Sequence, residues 1–248
     1  MGLLDLFKPN QNAEAALIAL RKTLKYGKTD DQCECIDFLV RPNQLYATGC
    51  KLLSKFKSDM DMNEYVAYVQ KTMDSLNLKQ RALEKIGLDE SQISEIPPVV
   101  LSGFSLKGNN VWVQSEEGKI KGTYRNVSNI YSVTYIFFST TQIYTYEYVF
   151  DSISYNVNEF TRDFFYSDVT CIRTNHEVEE VIIEKKKGCG CLSMLKGKKK
   201  KFFTANRDWD SFQITVPGDS YSFACATTDT LEQSIQAAKA LIREKKGL

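Results

Sequence analysis

The sequence predicts an α+β fold: a small helical N-terminal domain over residues 1–96, then an antiparallel β domain over residues 97–248 closed by one C-terminal helix. Apolar residues recur every three or four positions before Pro97-Pro98 and every second position after it. Fourteen of the 29 aromatic residues fall between Tyr124 and Tyr166, a density that suits side chains packed on a pleated surface. Residues 229–246 then return to the helical period, an order of helices, strands and one helix that belongs to the α+β class.

Taken in order, Ala16, Leu17, Leu20 and Leu24 share one face of a first helix over residues 12–25. A second run, 31–40, is stopped by Pro42, which lacks the N–H that a helix needs and clashes with the preceding turn. Asn43 is positioned to cap a third run to residue 56, and Asp61 or Asn63 opens a fourth with Tyr65, Val66, Val69 and Met73 inward. A fifth run, 79–86, ends at Gly87, and residues 88–96 have room for one further short turn. Beyond Pro98, between seven and ten strands fit from Val111 to Cys225. Tyr131, Val133, Tyr135 and Phe137 alternate in one, and Tyr144, Tyr146, Tyr148 and Phe150 in the next, as expected for strands with one buried face. Phe212, Ile214 and Val216 lead through Pro217-Gly218-Asp219 into Tyr221, Phe223 and Cys225. Asp229 with Glu232 has capping-box spacing, and Leu231, Ile235, Ala238, Leu241 and Ile242 make a single apolar stripe.

One stretch departs from this ordinary pattern. Residues 185–201, KKKGCGCLSMLKGKKKK, contain Lys185, Lys186, Lys187, Lys196, Lys198, Lys199, Lys200 and Lys201 and no acid. The chain has 32 Lys and Arg against 31 Asp and Glu, so removing these eight lysines leaves 24 against 31. A body of net charge −7 thus carries one strongly basic finger, and a concentrated patch attracts anions even when the whole molecule is near neutral. Its glycines and mutual repulsion predict a loop extending from a hairpin whose strands end near Glu184 and resume near Phe202. Cys189 and Cys191 sit among the lysines, which favour thiolate and mark the pair as candidate reactive thiols.

Catalytic and metal signatures are absent from the pattern. His176 is the only histidine, no Gly-x-Ser-x-Gly motif accompanies it, and it reads as an exposed turn residue. Cys33-x-Cys35 and Cys189-x-Cys191 together offer four thiolates to zinc, but residues two apart on a helix point about 200° away from each other. Asp59, Asp61 and Asn63 begin like a calcium loop, yet Glu64 stands where the turn needs Gly and Gln70 where it needs a bidentate Glu. Gly118 to Gly122 lacks the spacing of a phosphate loop. The tyrosine-rich strands would be a platform for stacking bases, but residues 131–150 contain no Lys or Arg, so a core-facing or partner-facing layer is expected. No cofactor and no metal are implied. No window approaches a membrane-spanning length, and MGLLDLFKPN lacks the features of a secretory leader. With seven scattered cysteines this predicts reduced thiols and a cytoplasmic setting.

The segments Tyr135-Ile-Phe-Phe-Ser-Thr-Thr-Gln-Ile-Tyr-Thr-Tyr and Phe164-Phe-Tyr-Ser-Asp-Val-Thr-Cys-Ile resemble the strand-turn-strand and aromatic-x-Asp entries of bacterial pleckstrin-homology-like and GRAM-like domains. Residues 81–92 with Pro97-Pro98 resemble uncharacterised bacterial proteins that place a helical region before such a domain. The resemblance covers roughly residues 100–246 and implies a barrel or sandwich of strands capped by a helix, in a non-enzymatic binding module. It transfers no ligand-binding residue, because the basic first strand pair of phosphoinositide-binding members has no counterpart here. An anionic lipid surface is therefore the first expected partner of the finger, engaged peripherally from the cytoplasm with about 1 kcal/mol per lysine. Leu192, Met194 and Leu195 would insert shallowly, and Leu3, Leu4, Leu6 and Phe7 would form a second weak anchor. A protein partner is expected for the helical domain. Nucleic acid held by the same lysines, and a scaffold whose loop is passive, are the alternatives. The sequence does not fix the oligomeric state.

Overall fold

The computed structural model describes residues 11–41, 58–93, 96–108, 110–117, 124–185, 201–226 and 228–247. The expected helix over residues 43–56 and the Leu3–Phe7 anchor lie outside them. Two of the N-terminal helices start where side chains satisfy otherwise unpaired N–H groups. α1 spans Gln11–Lys25 and α2 Asp30–Leu39. At the head of α2, Thr29 Oγ1 accepts from the Gln32 amide while the Gln32 side chain accepts from the Thr29 amide. α3, Met62–Asp74, begins with the same reciprocal box between Asp61 and Glu64. α4, Leu78–Ile86, stops at Gly87, whose φ of 76° is accessible to glycine at little cost. A 3₁₀ turn, Glu90–Ile93, follows.

The chain turns to strands just past Pro98. β1 (Val99–Phe104), β4 (Ile130–Phe138), β5 (Gln142–Asp151) and β6 (Val157–Phe165) form one antiparallel sheet in the order β1-β4-β5-β6. β2 (Val113–Glu117) and β3 (Tyr124–Ser128) pair only with each other, a hairpin inserted between β1 and its neighbour β4. β7 (Cys171–Lys185), β8 (Lys201–Val216) and β9 (Asp219–Cys225) form a third antiparallel sheet, and α5 (Asp229–Lys245) completes the described fold.

The first sheet is covered on both faces, where alternation had suggested one. Val133 and Phe137 of β4, with Tyr146, Tyr148 and Phe150 of β5, join Ile36, Phe38, Tyr65, Val69 and Leu83 of the helices in one hydrophobic cluster. Ile136, Phe138, Ile143 and Phe164 face the other way, into a second cluster with Phe212, Ile214, Phe223 and the α5 stripe. The N-terminal helices thus share a core with the sheet. Tyr65 of α3 anchors this contact from 0% exposure: its hydroxyl donates to Ser128 O at 2.7 Å and bonds Ser152 Oγ at 2.8 Å.

The sheets do not close into a barrel. After β6 the chain passes through a 3₁₀ turn, Tyr166–Asp168, and starts a new sheet, leaving β6 as an edge on which Val157, Phe160 and Phe165 are exposed. On the opposite side β1 and β9 approach closely. Ala226 N donates to Ser102 O at 2.9 Å, and a Cβ on Gly103 would lie 3.3 Å from the Cys225 backbone. Arg162 of β6 also links the sheets, pairing with Glu147 at 3.2 Å while its guanidinium lies 4.9 Å from the Tyr221 ring centre.

Two local expectations shift. α5 is capped by Thr228, not Asp229: Thr228 has the extended backbone of a cap, and its Oγ1 accepts from the Leu231 amide at 3.2 Å. Asp229 instead occupies the first turn, where a negative charge meets the positive end of the helix dipole. His176 is not in a turn but within β7, its Nδ1 2.8 Å from Oδ1 of its cross-strand partner Asp210.

A charged cluster holds α4 on the sheet. Arg81 donates from Nε and Nη2 to the two Glu159 oxygens at 2.9 and 2.6 Å, and the Tyr146 hydroxyl donates to Glu159 Oε2 at 2.7 Å. Hydrogen bonding from Arg81, and next from Tyr146, outweighs desolvation and brings the Glu159 carboxyl from its ordinary 4.5 down to about 2. A carboxyl lowered on folding stabilises the fold above its unfolded-state value and loses that contribution as pH falls. Glu159→Gln should therefore cost about 1 kcal/mol at neutral pH, at the small end because Arg81 is 43% exposed. The difference from the parent protein should vanish between pH 4.5 and about 2. Denaturant melts across that range check this.

Candidate functional site

The third sheet carries the finger. β9 pairs with β8 only over Asp210–Cys225 to Val216–Asp219, whereas the β7–β8 register continues from Glu177–Trp209 to Lys185–Lys201. That continuation is a two-stranded ribbon roughly 30 Å long at about 3.3 Å per residue. Lys185 and Lys201 are cross-strand partners at its end, within a residue of the expected strand limits. Lys186, Lys187, Lys196, Lys198, Lys199 and Lys200, with Cys189 and Cys191, lie outside the described residues.

The base of the ribbon is fixed by charge. Lys107 Nζ lies 2.7 Å from Glu177 Oε2 and 4.3 Å from the centre of the Trp209 ring, so one ammonium grips two cross-strand partners. One pair back, His176 meets Asp210, and β3 lies against β8. The ribbon therefore leaves the body from an anchored root.

Other sequence candidates are dispersed by the fold. The aromatic face of β4 and β5 lies beneath the helices and offers no stacking platform. Cys35 is buried at 0% exposure, and desolvation, then the Asp31 and Glu34 carboxylates, push its thiol up to about 12. Cys33 is only half-buried, with Sγ 3.9 Å from Lys25 O, so the two thiols occupy different surroundings as the helical spacing predicted. Cys225 is also buried, and desolvation raises it to about 11. Among the described residues no group of three or more His, Cys, Asp or Glu could hold a metal, and no helix is long and apolar enough to cross a membrane.

A second basic feature escaped the sequence reading. A cleft of about 330 Å³ lies between the segment from Val169 to the first residues of β7 and the C-terminal half of α5, with Cys171, Ile172, Lys239, Ile242, Arg243 and Lys246 in its walls. Lys246 Nζ donates to Val169 O at 2.6 Å and closes one end. The cations sit at i, i+4 and i+7, a spacing visible in sequence, but their juxtaposition with residues some 70 positions earlier is produced only by the fold.

The chain matches no family model, no curated protein and no solved structure.

Proposed function

We propose that the protein is a non-enzymatic binding module that engages an anionic membrane surface, peripherally and from the cytoplasmic side, through residues 185–201. The observation that carries this reading is the ribbon: its paired ends Lys185 and Lys201 are the first and last residues of the lysine-rich run, in a chain whose remainder has opposite net charge. A basic run concentrated in one segment of an otherwise acidic chain attracts an anionic surface to that segment. A PH-like architecture for residues 97–248 belongs to the same proposal. It rests on antiparallel strands followed by one C-terminal helix, which packs into the cluster between the sheets.

Sedimentation of the full chain with vesicles of phosphatidylserine and phosphatidylcholine, beside pure phosphatidylcholine, tests the reading. Binding should be confined to the anionic vesicles at low salt. It should fall steeply toward physiological ionic strength and beyond, where exposed charges are screened within about 8 Å. Equal binding to neutral vesicles, or binding insensitive to salt, would refute electrostatic attachment.

A further inference from the structure

We propose that the cleft between the start of β7 and α5 is a second anion site, which takes a phosphate monoester. The site is independent of the finger: Cys171 stands at one end of β7 and Lys185 at the other, about 45 Å apart at roughly 3.3 Å per residue.

Three observations converge on the cleft. First, Lys239, Arg243 and Lys246 fall within one narrow stripe of the helix, flanking Ile242, and no acidic residue lines the space they face. Like charges four apart destabilise a helix, and Lys239 and Arg243 have no acidic partner among the described residues to offset this. Second, the helix dipole accounts for Arg243 and the cap residue Lys246 but not for Lys239. Its field acts within the last turn, which already contains Arg243 and Lys245, whereas Lys239 lies nearly two turns before the helix end. Third, the opposite wall begins an edge strand, which leaves alternate backbone N–H and C=O groups outside the ladder. Thr170 N is taken by Thr215 O, and the Val169 carbonyl, which would repel an anion, is covered by Lys246 Nζ.

The chemical class follows from the donors. A guanidinium presents a fork that matches phosphate oxygens, and two ammonium groups supply the point charges that a dianion needs. The volume suits a small ester or a lipid headgroup, not a macromolecule. Phosphate monoesters occur both as free metabolites and as the headgroup of phosphatidic acid, and the test separates them.

Cys171 is an exposed thiol in the cleft wall and serves as the reporter. Alkylation of the full chain is followed at the Cys171 peptide by mass spectrometry, with glycerol phosphate or with sodium chloride at matched ionic strength. Glycerol phosphate should slow alkylation severalfold and chloride should not. Arg243→Gln should raise the concentration needed for protection about tenfold, the loss of one charge-assisted contact. Lys71→Gln, an exposed lysine on α3, removes the same charge elsewhere and should change nothing. A finger-deleted chain should be protected like the parent. If that chain also binds phosphatidic acid vesicles and Arg243→Gln abolishes the binding, the lipid is the source; protection without vesicle binding assigns a free ester. Absence of protection at millimolar glycerol phosphate, equal protection by chloride, or an unaltered response in a folded Arg243→Gln protein would overturn the proposal.

Discussion

Replacing Ile235 with Asp is expected to destabilise the protein by about 3–5 kcal/mol, the penalty for a buried charge without a partner. Ile235 is 2% exposed and belongs to the cluster in which α5 meets both sheets, beside Leu231, Ala238, Leu241 and Ile242. Folded domains hold only about 5–15 kcal/mol of net stability, so a large share would be lost. The melting temperature should fall by about 10 °C, at roughly 2–4 °C per kcal/mol for a chain of this size. Gln233→Asp, on the exposed side of the same helix, is the control and should stay within about 0.5 kcal/mol of the parent. An Ile235→Asp protein that melts with the parent would mean that α5 is not docked, and the reading of residues 97–248 as antiparallel sheets closed by a helix would lose its main support.

That stripe was legible because it is local: five apolar positions at helical spacing need no knowledge of the rest of the chain, although the cap proved to be Thr228 and not Asp229. The same holds for the helix start at Asp61, for the stop at Gly87, and for the turn at Gly218, which has a φ of 86°. What stayed hidden depends on distant pairings. Tyr135 and Phe137 alternate with Ile136 and Phe138, and when both sets are apolar the pattern does not say that each face has a cover. The order β1-β4-β5-β6 sets β1 beside a strand that starts 26 residues after it ends, across the whole β2–β3 hairpin. His176 lies between polar residues that look like a turn, and only its pairing with Asp210 reveals a strand. For the candidate sites, the finger was plain from its lysines alone, whereas the α5 cleft required the first residues of β7 to come alongside.

The central claim is that residues 185–201 are an electrostatic anchor, and removing them tests it most directly. Joining Lys185 to Lys201 through Asn-Gly replaces the finger with a tight hairpin turn compatible with paired antiparallel strands. The β7–β8 ladder and the Lys107 clamp at its root stay in place, so the thermal transition should match the parent. Six lysines leave with the deletion, and at roughly 1 kcal/mol each near an anionic surface, with about 1.4 kcal/mol for each factor of ten, binding should weaken at least a thousandfold. Conversion of Lys198, Lys199, Lys200 and Lys201 to Glu, leaving the length unchanged, should abolish it as well. The measurement is co-sedimentation of the parent and the deleted chain with phosphatidylserine vesicles, neutral vesicles and a single-stranded oligonucleotide at low salt. An electrostatic anchor in residues 185–201 predicts that the parent pellets with the anionic vesicles, does so more strongly than it captures the oligonucleotide, and loses this when the finger is removed. Equal sedimentation of the two proteins with anionic vesicles, or a parent that binds the oligonucleotide and ignores the vesicles, would contradict it.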